Sequence, residues 1–189
     1  MSDAEIELLG ARLRLWPFTV SDISDRYLSW LVDDEVNKFS RRLGKPPESA
    51  ENVRTWLASR AKDEQVFAIH APDLGHIGNV KYGPVNWSNL AADISILVGE
   101  VRSWGQGFGA EAIYLVSKHL FIDRKINRLS AASINPAFIH MVEKLGWQRE
   151  GIQREESRIC GQFYDSVLLS MLKRDFRIMP HYEAAAGHE

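Results

Sequence analysis

Three glycines at alternate positions, in Trp104-Gly105-Gln106-Gly107-Phe108-Gly109-Ala110-Glu111-Ala112, are the residues of this chain best placed to do chemistry. Without a Cβ, the main chain there can turn sharply and bring its N–H groups close to a ligand. Ala112, Ile113, Val116 and Leu120 follow at helical spacing, so the turn opens a helix. Unpaired N–H groups then gather at the positive end of the helix dipole, which suits a phosphate or diphosphate. The same residues would also serve as a turn that only reverses the chain.

Gly105-x-Gly107-x-x-Ala110 also satisfies the dinucleotide fingerprint, which raises a nicotinamide or flavin enzyme as an alternative. That fingerprint expects an acid about 20 positions on, at the end of the next strand, to hold a ribose. Here Asp123 falls near the helix end and Leu129–Asn135 contains no acid. The turn also lies past the middle of the chain, behind a hairpin. Both features count against that reading.

Other chemistry-bearing residues are sparse. Cys160 abuts a short turn with no motif histidine beside it, which reads as a small buried thiol and not as an acyl-carrying nucleophile. His70, His76, His119 and His140 are scattered without metal-ligand spacing, so no metal is expected. Lys38, Arg41, Arg42 and Lys45 concentrate positive charge in one stretch, as either a solvated loop or a site for an anionic group.

The elements that must position these residues follow from patterning. Alternation over Ala11–Leu15 predicts a strand ended by Trp16-Pro17, and Ser21-Asp22 offers a cap to a helix carrying Tyr27, Trp30, Leu31 and Phe39. A loop with Gly44, Pro46 and Pro47 leads to a cap at Ser49 and a second helix with Val53, Trp56 and Leu57 on one face. Gln65–Ala71 and His76–Tyr82, joined by Pro72-Asp73-Leu74-Gly75, read as a hairpin. Ala92–Val98 is the strand before the glycine turn. Leu129–Ile134 is the next strand, followed by a helix from Pro136 to a stop at Gly146. Ile152–Ile159 and Phe163–Leu172 flank Cys160-Gly161-Gln162 as a terminal hairpin. The fold class is α+β, a single domain with a mixed, mostly antiparallel sheet of about seven strands flanked by about four helices. The domain is expected to span 1–178, with 179–189 a frayed tail.

Composition sets the outer limits. The chain has 189 residues, 45% hydrophobic and 25% charged, and no apolar run nears the roughly 20 residues of a membrane span. A formal charge of −2 leaves no global basic field for nucleic acid, so an anionic ligand must be held locally. A single cysteine excludes an internal disulfide, and MSDAEIELLG lacks a basic stretch followed by an apolar core, so a cytoplasmic location is expected.

Taken together, the turn Gly105–Ala112, then Asn135, then Glu143-Lys144-Leu145-Gly146-Trp147 resembles the GNAT superfamily of acyl-CoA N-acyltransferases, and the element order agrees from Ala11 to about Phe176. Gly161-Gln162-Phe163-Tyr164-Asp165 is similar to the terminal hairpin of the ribosomal-protein and amino-sugar branches, and Ile77-Gly78-Asn79-Val80 with Trp104 leans toward the latter. The resemblance implies acetyl-CoA as donor. Trp104, Gly105, Gln106, Gly107, Phe108, Gly109 and Ala110 would form its diphosphate turn. Ile96, Leu97 and Val98 would pair edge-on with pantetheine, Asn135 would reach the pantetheine arm, and His140 and Lys144 would approach the phosphates. The sequence departs from the family twice: Trp104 stands where many members have Gln or Arg, and Val142 where many carry a tyrosine that protonates the departing thiolate.

Acetyl transfer to an amine needs a neutral nucleophile, an oriented thioester and a donor for the developing oxyanion, here expected from an N–H near Val98. Deprotonating a lysine-like ammonium at pH 7 costs roughly 4–5 kcal/mol, against about 1 for an α-amine. Asp93 is the candidate base, with Glu100 and Glu111 as alternatives, Glu111 being better explained by the helix dipole. His76 could relay a proton or contact substrate, or be an exposed turn histidine. Arg41 and Arg42 lie in a region that lines the acceptor side in relatives, which points to a nucleotide-linked amino sugar or other small amine. The alternatives are a protein N-terminal acceptor, for which an acidic cleft is expected, and a non-catalytic acetyl-CoA sensor. The expected partner is a small-molecule or peptide amine, with no nucleic acid and no membrane; a homodimer is also an expectation.

Overall fold

The computed structural model describes residues 6–46 and 48–185; Pro47 and the segments 1–5 and 186–189 lie outside the described residues. Among the described residues, eight strands form one sheet: β1 (Leu8–Leu9), β2 (Arg14–Pro17), β3 (Gln65–Ala71), β4 (Gly75–Tyr82), β5 (Ala91–Val98), β6 (Arg128–Ser133), β7 (Gln148–Ile159) and β8 (Gln162–Leu172). Their order across the sheet is β1-β2-β3-β4-β5-β6-β8-β7. Every neighbouring pair is antiparallel except β5 and β6.

Five α-helices among the described residues cover the two faces: α1 (Asp25–Trp30), α2 (Asp34–Asn37), α3 (Ala50–Ala58), α4 (Phe108–Lys118) and α5 (Pro136–Lys144). β3 decides the layering, because it is buried on both sides. Its Phe67 and Ile69 join Ile113, Val116, Ile139 and Val142 of α4 and α5 in one core. Its Val66 and Ala68 join Tyr27, Trp30 and Val53 of α1 and α3 in a second core on the other face.

Three expectations need correction. The helix read from Ser21 through Phe39 is two short ones, because the Asp33 side chain caps the N–H groups of Glu35 and Val36 and starts α2 afresh. The sheet has an eighth strand, β1, of only two residues, too short to show alternation. The tail from 179 is docked through residue 183: the main chain of Gly10 bridges Glu183, and the Glu183 carboxylate accepts from Tyr114 and Lys118 of α4.

Candidate active site

The parallel pair is short. β5 and β6 are in register from Ala91↔Arg128 to Asp93↔Ser130, and then the pairing ends while β5 runs on to Val98. β5 stays paired to β4 throughout this stretch, so it is β6 that parts from it. Gly83 N–H donates to the Asp93 carbonyl at 3.0 Å and Gly99 N–H to that of Ile77 at 2.9 Å. Antiparallel alternation between these two points turns the main chain of Ser95 and Leu97 toward β4 and that of Ile96 and Val98 toward the gap. Ile96 and Val98 thus present an open edge. Leu97, expected to share in it, has its main-chain groups on the β4 side and its side chain packed on the α1 core.

At the end of that edge sits the glycine turn. Gly105 (φ 73°) and Gly107 (φ 82°) are left-handed, a backbone conformation that costs side-chain-bearing residues roughly 1–2 kcal/mol. Gly107 is the N-cap of α4 with no side-chain cap, and the first intrahelical acceptor is its own carbonyl, taken by Glu111 N–H at 3.1 Å. The N–H groups of Phe108, Gly109 and Ala110 therefore have no partner within the helix. A Cβ on Gly109 would lie 3.2 Å from Met141 Sδ and 3.8 Å from Val98 Cγ2, which shows how closely α4, α5 and β5 converge. Trp104 sits at the rim, its indole N–H donating to the Val98 carbonyl at 3.0 Å.

On the α5 side, Asn135 caps the helix, its Oδ1 accepting from Ala137 N–H at 2.9 Å, so that the cap itself does not use Nδ2. His140 and Lys144 are exposed on α5, one turn apart, as an anion-facing pair requires. The open edge, the free first-turn N–H groups and these exposed side chains fit a diphosphate carrying an extended arm. Val142, by contrast, is fully buried in the core and offers no hydroxyl.

A cavity of about 240 Å³ lies at the end of β6. It is lined by Ala132, Ser133 and Ile134 at the end of β6, Phe39 and Arg41 from the loop after α2, and Glu156, Ser157 and Ser166 of β7 and β8. Sequence reasoning reached Arg41 and missed the rest. Glu156 is placed by an irregularity: between Gln153↔Ser166 and Ser157↔Tyr164, residues 154–156 stand opposite the single Asp165. Asp165 Oδ1 accepts from Glu155 N–H at 2.8 Å and holds the bulge. The run Arg154-Glu155-Glu156 interrupts alternation in the sequence, and that was the available signal.

Several predicted residues have other commitments. Arg41 is ion-paired with Glu156 across the cavity, whereas Arg42 is outside its lining and pairs with Glu48 at 3.3 Å. The two arginines of the cationic cluster are therefore each paired with an acid. His76 is not an exposed turn residue: Trp16, His70, His76 and Tyr27 form a run of stacked rings, and His76 Nε2 lies 3.0 Å from the Gly78 carbonyl. Burial lowers its pKa, and takes that of His70 down to about 4. Cys160 is exposed, because its own positive φ (46°) at the hairpin turn aims it outward, where Sγ contacts the Leu43 carbonyl at 3.7 Å.

The three candidate acids separate clearly. Hydrogen bonds from Arg102 and Arg26 take the Glu100 pKa down to about 2, too low for a base at neutral pH. Glu111 is fully buried with its oxygens committed to Arg12 and Leu13. Asp93 is exposed, at the last β5–β6 pair, and loss of solvent around its carboxyl raises its pKa against the pull of Lys81. It shares its strand parity with Leu97, on the α1 face, and is outside the cavity lining.

Residues 12–148 match the family model of the acetyltransferase (GNAT) domain. The chain belongs to the GNAT family. It is 28% identical over 151 residues to the SPbeta prophage-derived uncharacterized N-acetyltransferase YokL of Bacillus subtilis (strain 168), covering 78% of this chain and 84% of that protein. It is 23% identical over 159 residues to the N-acetyltransferase 9-like protein of Caenorhabditis briggsae, covering 76% and 78%. Among solved structures, a spermidine N-acetyltransferase from Vibrio cholerae in complex with CoA and spermine superposes with a TM-score of 0.77 at 19% identity, over 87% of this chain and 97% of that one. This GNAT protein is accordingly an acyltransferase of the N-acetyltransferase type. No described helix is long and apolar enough to cross a membrane, and no group of three or more His, Cys, Asp or Glu that could hold a metal occurs among the described residues.

Proposed function

We propose that the chain acetylates the primary amine of a small polar acceptor, with acetyl-CoA as donor and the parted β5 and β6 as the meeting place. The observation that carries this reading is the end of pairing at Asp93↔Ser130, with the glycine turn following β5 and the serine-lined cavity at the end of β6. Acetyl-CoA supplies an activated acyl carbon. The chain's part is to grip the diphosphate with the amides of Gly107–Ala110 and align the arm along Ile96 and Val98. The Val98 N–H, turned into the gap, is the donor for the developing oxyanion.

The cavity supports a compact acceptor rich in hydroxyls or carrying an ammonium. Ser133 and Ser166 offer hydroxyls, and Glu156 lines it in its ion pair with Arg41 and with a hydrogen bond from Ser157, so an ammonium would take the place of Arg41 on that carboxylate. A nucleotide-linked amino sugar is less well served, since Arg41 and Arg42 are already ion-paired; an amino sugar without the nucleotide fits the same chemistry. Asp93, with its raised proton affinity, is the base we assign, acting through water from the foot of the gap. With no hydroxyl at Val142, solvent would protonate the departing thiolate.

Thiol release from acetyl-CoA, followed over a panel of amino sugars, polyamines and peptides, tests the reading. Release with a small amino sugar or related amine is expected. Coenzyme A binding without release for any amine would make the protein a sensor, and efficient release only with peptides would move the acceptor to protein N-termini.

A further inference from the structure

We infer that Arg12, anchored by the buried Glu111, is a positioning residue that sets the glycine turn for diphosphate binding; this rests on the turn being the coenzyme A site. Glu111 has no solvent exposure, which an acid tolerates only when its acceptor sites are filled. Its Oε1 accepts from the N–H groups of Arg12 (2.7 Å) and Leu13 (3.0 Å), and its Oε2 from Arg12 Nε (3.0 Å). A main chain nearly a hundred residues distant is thereby tied to the first turn of α4.

From that anchor the guanidinium extends to the turn. Arg12 Nη1 donates to the Gln106 carbonyl at 2.8 Å, and its carbon lies 4.7 Å from the centre of the Phe108 ring. The peptide unit between Gln106 and Gly107 is planar and trans, so its C=O and N–H point in opposite directions. Fixing the Gln106 carbonyl on Arg12 therefore fixes the Gly107 N–H on the side away from Arg12. One donor of the turn is aimed before any ligand arrives, and the ordering cost is met during folding. Read from sequence, Glu111 was an alternative base better explained by the helix dipole; its partner is far away in the chain.

The test is calorimetric binding of coenzyme A and of pantetheine, which lacks the diphosphate, to the wild-type protein and to Arg12→Met and Arg12→Lys. Methionine keeps the packing on Phe108 and removes the donors; lysine keeps the charge and cannot bridge Glu111 and Gln106 with a planar fork. Both variants are expected to bind coenzyme A roughly tenfold more weakly, the size of one charge-assisted hydrogen bond, with pantetheine unchanged. Equal weakening of both ligands would make Arg12 a general structural residue and overturn the inference, as would wild-type affinity in Arg12→Lys. Failure of the wild-type protein to bind coenzyme A at all would instead remove the reading beneath it, and the inference with it.

Discussion

The stacked histidines of the α1 face should make this protein lose stability in mildly acidic solution, before its carboxylates titrate. His70 packs 3.5 Å, centre to centre, from Trp16, and its buried Nε2 has no hydrogen-bond partner. Burial chiefly, and then the neighbouring His76 and Arg26 against the opposing Asp22, takes its pKa from 6.5 to about 4. A group whose folded pKa is depressed contributes stability above its unfolded pKa and loses it as pH falls toward the folded value. Between pH 7 and 5.5 the loss from His70 alone is about 1.2 kcal/mol, and solvent reaching the partly exposed ring reduces that to roughly half. His76 shifts in the same direction, so the two add in sign. Urea unfolding at pH 7, 6 and 5.5 should show the midpoint falling at constant m-value. His70→Phe, which keeps the stack and satisfies a site where nitrogen had no partner, should flatten part of that fall. A variant with the wild-type pH slope, or a wild-type midpoint that does not move, would refute the argument.

Two further outcomes follow from the site. Asp93→Asn should lower kcat by roughly 10²-fold with little change in KM, while Glu156→Gln should mainly raise KM for the acceptor; steady-state kinetics with the amine found by thiol release separates them, and the reverse pattern would exchange their roles. Gly107→Ala should cost about 1–2 kcal/mol in denaturant stability from its φ of 82°, and weaken coenzyme A binding as well, because the new Cβ would lie 3.3 Å from Arg12 Nη2. Unchanged stability and affinity in that variant would mean the turn relaxes freely.

Much of the donor side is written in local pattern. Three alternate glycines before an apolar helical stripe specify a turn with free N–H groups, because backbone freedom and helix periodicity are properties of neighbouring residues. The strand and helix order, the Pro136 start of α5 and the Cys160-Gly161 turn are legible for the same reason, although the break at Asp33 was masked because Phe39 follows Leu31 at helical spacing.

The acceptor side is different. Arg41 meets Glu156 across 115 positions and Arg12 meets Glu111 across 99, and no periodicity connects residues so far apart. The identity of a charge is in the sequence, whereas its partner, and so its freedom to bind substrate, depends on which strands lie side by side. The point at which β6 leaves β5 is likewise a matter of register between two segments far apart in the chain. Local chemistry thus determined which segment turns and exposes its N–H groups, and long-range packing decided which side chains meet, since only folding brings Ser133, Glu156 and Ser166 around one space.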